Sequence, residues 1–158
     1  MAFSPSGNQI AFASHDSSVS VATGPTDALQ VIKTSTLPFV TLFFASEHSI
    51  VVAGHDCAPY LVFNKGNQWE VSNRLDDGRK KSVIGGNSAF NKFRQMDSRA
   101  TNNTGGDIEL HTTHQNTITS VRPFAGSSDS VSKFSSTGVD GRLVIWDLLA
   151  VGVSGIRL

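Results

Sequence analysis

The sequence lacks several features that would assign a protein to a class. Its 158 residues include one cysteine, so no internal disulfide can form, and this favours a reducing compartment. Lys plus Arg number 13, as do Asp plus Glu, so the net positive field of a nucleic-acid-binding protein is absent. No apolar run approaches the ~18 residues of a membrane span, and the first residues do not resemble a secretory signal. We expect a cytoplasmic protein with no nucleic-acid partner and no membrane span.

What the sequence does contain is a short pattern that occurs three times. The segments are IAFASHDSSVSVA (residues 10–22), VVAGHDCAPYLVF (residues 51–63) and FSSTGVDGRLVIW (residues 134–146). Each has an apolar or small-residue run, a turn Asp and a second run, which is typical of a strand, a tight turn and a strand. The turn residues Asp16, Asp56 and Asp140 can accept backbone N–H bonds, so their recurrence predicts a structural role.

The spacing of these Asp residues predicts the architecture. Asp16 and Asp56 are 40 residues apart, and Asp56 and Asp140 are 84 apart. A β-propeller blade has four strands and a period of roughly 40–45 residues, so the longer interval equals one blade plus an insertion of similar size. The sequence therefore predicts an all-β fold, a β-propeller present as a partial array of about three blades. Seven such blades need about 300 residues, so we expect part of a longer array or a requirement for a partner.

The last repeat resembles a WD repeat. Its segment STGVDGRLVIWDL (residues 136–148) contains the Trp-Asp pair, and THQNTITSVRPF (residues 113–124) resembles the opening of such a repeat, with Thr113 in place of the usual Gly. In WD repeats a His, a Ser or Thr, a turn Asp and the Trp form a hydrogen-bonded set. The resemblance implies that this set is His114, Ser136, Asp140 and Trp146. The other repeats are degenerate, since Phe63 and Val21 stand where the Trp would be, and we expect packing to hold them.

A more specific resemblance extends over residues 1–148. The segments SHDSSVSVA, AGHDCAPYLVF, NRLDDGRKKS, FNKFRQMD and STGVDGRLVIWDL occur in this order. Together they resemble the C-terminal part of subunit 1 of the actin-related protein 2/3 complex, its WD-repeat subunit. The resemblance implies a non-catalytic scaffold of the assembly that nucleates branched actin filaments at the cytoplasmic actin cytoskeleton, without a cofactor. The implied partners are actin-related proteins and other subunits of the complex, actin filaments and acidic nucleation activators.

The chain divides into five segments on this interpretation. Residues 1–34 form a partial blade and residues 35–75 a degenerate WD blade, with strands over 40–45, 49–53, 59–63 and 68–73. Residues 76–110 are a basic insert, and residues 111–148 form the WD blade. Residues 149–158 are an apolar tail to which we assign no role.

The insert is the predicted partner-binding segment. A helix is expected at about 88–100, where Phe90, Phe93 and Met96 recur every three residues and form one apolar stripe. Such a short helix is marginal in water, so either its own domain or a partner must stabilise it. A stripe of this kind often packs on its own domain, and that alternative remains open here.

Basic residues flank the stripe. Between Arg74 and Arg99 the chain has seven basic and three acidic residues, which suits an acidic partner surface and faster association. In the resembled family this insert is implicated in contacts with actin and with activators. The alternative is that the basic residues are simply solvated. The basic side chains assigned to partner binding are Arg79, Lys80, Lys81, Lys92 and Arg94.

The sequence is compatible with two further function classes. A generic WD-repeat adaptor outside the actin system would have the same fold and differ in its partners. An enzyme would need polar groups that converge, and the adjacent His55, Asp56 and Cys57 invite that interpretation. However, His15 and Asp16 occupy the same place in another repeat, which favours a turn motif. His111 and His114 are too few to form a zinc site, so no catalytic residue, metal or cofactor is predicted.

Overall fold

The computed structural model describes residues 1–24, 29–76 and 112–149. Within these ranges the chain forms eleven β-strands and no helix, and all of the strand pairs are antiparallel. The prediction of an all-β fold is thus confirmed. The helix expected at about 88–100 lies outside the described residues, as do all eight residues assigned to partner binding and the tail from residue 150.

The described strands form two hydrogen-bonded sheets, one of four strands and one of seven. The larger sheet contains two groups joined only through the pairing of Ser130 with Ser46, so we describe three antiparallel groups, which we call blades 1 to 3. Blade 1 contains β1 (Ala2–Phe3), β2 (Gln9–Ser14), β3 (Ser18–Thr23) and β4 (Gln30–Lys33). Blade 2 contains β5 (Phe39–Ser46), β6 (Ser49–Gly54), β7 (Pro59–Lys65) and β8 (Gln68–Arg74). Blade 3 contains β9 (Ile118–Ser127), β10 (Ser130–Gly138) and β11 (Leu143–Asp147). In blade 2 the observed strands begin and end within two residues of the predicted ones. This is a partial propeller of three blades.

The apolar core lies between the blades. Side chains alternate across a strand, so each strand of the central blade serves two interfaces. Val52 and Val62 pack towards blade 1 with Val19 and Val21. Leu61 packs in a second cluster towards blade 3, and all six residues of β6 are buried. Blade 2 is therefore held on both faces by sheet-on-sheet packing.

The two outer blades each leave large apolar side chains exposed. In blade 1, Phe3 is 66% exposed and Phe12 37% exposed. In blade 3, Leu143 is 67% exposed and Ile145 42% exposed, whereas Trp146 between the blades is buried. The exposed residues share one period-2 face of their strands, which is the face that a neighbouring blade covers in a propeller.

The strand register corrects one detail of the repeat alignment. Trp146 pairs with Phe134 in blade 3, and the same register position holds Val62, opposite Ile50, in blade 2. In blade 1 that position holds Ala22. The expectation that Phe63 and Val21 occupy the Trp position is therefore wrong by one residue. A one-residue slip moves a side chain to the opposite face of the sheet, so this correction decides which blade each residue contacts.

The three central hairpins share one turn geometry. The residue after each turn Asp has a left-handed backbone, with φ of 63° at Ser17, 60° at Cys57 and 73° at Gly141. Only glycine adopts this conformation without strain, so the first two blades tolerate a cost that the third avoids. At position 54 glycine is required for lack of space, because a Cβ there would lie 2.3 Å from the Pro38 carbonyl oxygen.

Candidate functional site

The most connected polar site in the described chain is a network of four side chains in blade 3. His114 Nδ1 lies 3.0 and 3.1 Å from the two carboxylate oxygens of Asp140. His114 Nε2 lies 2.7 Å from the Ser136 hydroxyl, and the Trp146 indole N–H donates to the same hydroxyl at 2.7 Å. The structure thus brings together the four residues that the WD resemblance implied.

The direction of each hydrogen bond follows from the chemistry of its ends. The Trp146 indole can only donate and the Asp140 carboxylate can only accept. His114 therefore donates through Nδ1–H to Asp140, and its Nε2 accepts from the Ser136 hydroxyl, which in turn accepts from Trp146. Every polar side-chain atom in this series of hydrogen bonds has a partner. His114 and Ser136 are completely buried, and neither carries an unpaired polar group.

Asp140 also fixes the backbone around the network. Its carboxylate accepts from the amides of Gln115, at 2.8 Å, and Arg142, at 3.2 Å. Burial raises the pKa of the Asp140 carboxyl. The hydrogen bonds from Gln115, His114 and Arg142 together lower it by more than burial raises it, so the pKa is below its ordinary value. Asp140 is thus an ionised carboxylate that ties the turn of β10 and β11 to the segment before β9.

Asp140, His114 and Ser136 are hydrogen-bonded in the same order as the residues of a catalytic triad. This network cannot perform nucleophilic catalysis here. Ser136 is fully buried, and its hydroxyl oxygen is already occupied by the Trp146 N–H. A nucleophile must present its oxygen to a substrate. The network stabilises the fold and offers no route for a reactant.

His55, Asp56 and Cys57 of the second repeat have separate partners. His55 Nδ1 lies 3.1 Å from Thr117 Oγ1 in blade 3. Asp56 accepts from the Tyr60 hydroxyl at 3.1 Å and from the Leu37 amide at 3.3 Å. Cys57 is buried, and burial together with nearby carboxylates raises the pKa of its thiol. A raised pKa disfavours the reactive thiolate. His55, Asp56 and Cys57 lie in the turn between β6 and β7.

The equivalent turn of blade 1 is built more simply. Asp16 accepts from the Ser18 hydroxyl at 2.6 Å, and this bond is the main cause that lowers the pKa of Asp16. The His15 ring lies edge-on to the His55 ring, with centroids 6.0 Å apart. His15 and His55 therefore join neighbouring blades at the same end of the hairpins.

Known proteins share this sequence pattern over the whole chain. The chain is 39% identical over 162 residues to "Actin-related protein 2/3 complex subunit 1A-B" of Xenopus laevis, covering 100% of this chain and 43% of that protein. It is 36% identical over 167 residues to "Actin-related protein 2/3 complex subunit 1" of Schizosaccharomyces pombe, covering 92% and 44%. For the Arabidopsis thaliana subunit 1B, the identity is 32% over 158 residues, covering 92% and 41%.

The chain resembles subunit 1 of the actin-related protein 2/3 complex. The resemblance expected from the sequence motifs is thereby confirmed, and the chain spans about two-fifths of the length of these curated relatives. No protein-family profile matches it. Within the described ranges, no helix is long and apolar enough to cross a membrane, and no group of three His, Cys, Asp or Glu side chains could hold a metal ion.

Two polar links between blades could not be predicted from the sequence of this chain. Glu47, in the turn between β5 and β6, accepts from the hydroxyls of Ser4, at 2.9 Å, and Ser6, at 2.7 Å, in blade 1. Asp76, at the end of blade 2, accepts from Thr113 before blade 3. Neither carboxylate belongs to a repeated motif, and each partner lies about forty residues away in the chain. No sequence signal could have found them.

Proposed function

We propose that this chain is part of a non-catalytic WD-repeat scaffold subunit of the complex that nucleates branched actin filaments. The observation that carries the proposal is the similarity to subunit 1 relatives along the whole chain. The architecture supports it, because the three blades pack through buried interfaces and, among the described residues, do not present a cluster of reactive groups. On this proposal the protein is located at the cytoplasmic actin cytoskeleton, and its partners are the actin-related proteins and other subunits.

The proposal that the chain is not an enzyme rests on where its reactive groups lie. The Ser136 hydroxyl is sealed beneath Trp146, and the Cys57 thiol is buried beside carboxylates. The imidazole of His55 is engaged by Thr117 rather than by Asp56. Among the described residues these groups do not converge on one surface, which is what catalysis would require.

The insert is proposed as the segment that contacts actin filaments or acidic activators. Phe90, Phe93 and Met96 are spaced as the anchors of a helix that binds in a groove. The basic side chains around them would attract an acidic partner over several ångströms before contact. Arg79, Lys80, Lys81, Lys92 and Arg94 supply this charge.

Affinity purification tests the proposal at its coarser level. The full-length protein, expressed in cells with an affinity tag, should co-purify actin-related proteins. If it instead retains other proteins and no actin-related protein, the alternative of a generic WD-repeat adaptor outside the actin system is favoured.

A substitution pair tests the insert. Phe93→Ala should weaken binding by about 2–4 kcal/mol, or roughly 30- to 1,000-fold in affinity, with little change in thermal stability. Phe124→Ala is the matched control, because it removes the same ring at a position outside the insert, where Phe124 is 62% exposed on blade 3. Equal binding by both variants, or a large loss of stability in Phe93→Ala alone, would assign the stripe to packing within the protein.

The charge of the insert is tested by kinetics. Lys80→Glu should slow association with the partner, and the difference should shrink at high salt because salt screens exposed charges. Lys65→Glu, at the end of β7 in blade 2, is the control for an exposed lysine outside the insert. An equal effect of both substitutions would mean that the association rate depends on the net charge of the protein and not on the charge of the insert.

A further inference from the structure

The two sides of the insert meet at one buried carboxylate. Asp76 is the first residue of the insert and the last one described before residue 112, and it is 3% exposed. Its carboxylate accepts from the Thr113 backbone N–H at 2.6 Å and from the Thr113 hydroxyl at 3.2 Å. Asp76 and Thr113 are 37 positions apart, so the chain leaves blade 2 and enters blade 3 at points joined by hydrogen bonds.

The blade 2 side of this contact is anchored in the core. Leu75 is 2% exposed and packs in the cluster between blades 2 and 3. Its amide donates to the Pro59 carbonyl at 2.8 Å, and the Arg74 side chain donates to the Asp76 carbonyl at 2.8 Å. The position of the Asp76 carboxylate is therefore fixed by main-chain, side-chain and packing contacts.

The blade 3 side is anchored in the polar network. The Thr113 carbonyl accepts from the Arg142 guanidinium, and the next residue is His114, which is held by Asp140 and Ser136. Thr113 is thus bonded at its N–H by blade 2 and at its carbonyl by blade 3. A displacement of either end of the insert would break a bond to a rigid blade.

We propose that Asp76 is a positioning residue, which holds both ends of the insert against blade 3 so that the partner-binding segment starts from a defined place. This inference rests on the function proposed above. Fixing the ends lowers the ordering cost that a tethered segment meets when it binds, and that cost subtracts directly from affinity. Charged acceptors form the stronger hydrogen bonds, which explains why a carboxylate suits this position.

The first measurement is limited proteolysis. In the full-length protein, Asp76→Ala should speed tryptic cleavage after Arg74 by about 10-fold or more, since loss of a charged hydrogen bond is worth about that factor. Asp76→Asn keeps an oxygen that can accept from the Thr113 N–H, so it should restore resistance to within about 3-fold. The matched control is Glu47→Ala, which removes a carboxylate link between blades 1 and 2 with no connection to the insert.

The second measurement is capture of purified actin-related proteins by the same variants. Asp76→Ala should lower capture about 10-fold or more, Asp76→Asn should retain it, and Glu47→Ala should leave it unchanged. Unchanged cleavage at Arg74 in Asp76→Ala would overturn the proposal, as would faster cleavage with full capture. If the unsubstituted protein itself captures nothing, the proposed function fails, and cleavage at Arg74 still decides whether Asp76 holds the ends.

Discussion

Ser136→Ala is the substitution that tests the polar network most directly. The Ser136 hydroxyl accepts from the Trp146 N–H and donates to His114 Nε2, both at 2.7 Å and both within the buried interior. Removing it leaves two buried polar groups without this partner, and each such group costs about 1–3 kcal/mol. We expect the free energy of unfolding to fall by about 2–6 kcal/mol, a large share of the stability of an ordinary domain.

The assay is urea unfolding followed by the fluorescence of Trp146 in a Trp69→Phe background, since the chain has two tryptophans. Ser135→Ala is the matched control, because the Ser135 hydroxyl donates to the Arg122 carbonyl at 3.4 Å on the exposed side of the same strand. The control should change the stability by no more than about 0.5 kcal/mol.

A double-mutant cycle separates the hydrogen bond from the packing. Trp146→Phe removes the indole N–H, so Ser136→Ala should cost less in that background than in the original protein. All four proteins of the cycle are followed by circular dichroism, because Trp146→Phe removes the fluorescent side chain. Additive effects would mean that the two groups do not interact. A loss below about 1 kcal/mol for Ser136→Ala, or one equal to that of Ser135→Ala, would refute the description of the network.

Three other predictions use different parts of the structure. Burial and the Asp56 carboxylate raise the pKa of Tyr60 to about 12, so Tyr60 contributes stability that is fully present below about pH 10 and lost as the pH rises through about 12. Because the chain has one tyrosine, absorbance at 295 nm follows the titration of Tyr60, and an unshifted titration midpoint in the folded protein would contradict this environment. Ser17→Gly should stabilise the protein by up to about 1 kcal/mol because φ at Ser17 is 63°, whereas Gly141→Ala, at a φ of 73°, should destabilise it by a similar amount. Thermal unfolding that ranks the two variants in the opposite order would rule out the shared turn geometry. The isolated 158-residue chain should self-associate through its exposed end faces, and the pair Leu143→Lys and Ile145→Lys should lower the mass measured by sedimentation; an unchanged mass would place the contact elsewhere.

The sequence alone determined the class of the fold and the repeat that builds it. Apolar runs separated by turn Asp residues specify strands and hairpins through local chemistry, because strand periodicity and turn geometry need only a few consecutive residues. The strands of blade 2 were predictable for this reason, whereas the approach of His114 to Asp140 was implied by the resemblance to a WD repeat. The resemblance to subunit 1 also needed no structure, since it rests on quoted segments in a fixed order.

The tertiary structure decided which face each residue presents and which distant residues meet. Val62 holds the Trp position instead of Phe63, since it follows Asp56 by six residues as Trp146 follows Asp140, and the strand pairing opposite Ile50 shows which face of the sheet it occupies. The links from Glu47 to Ser4 and from Asp76 to Thr113 span about forty positions and carry no local pattern. Such contacts arise only when the blades pack, because packing brings together side chains that the order of the chain keeps apart.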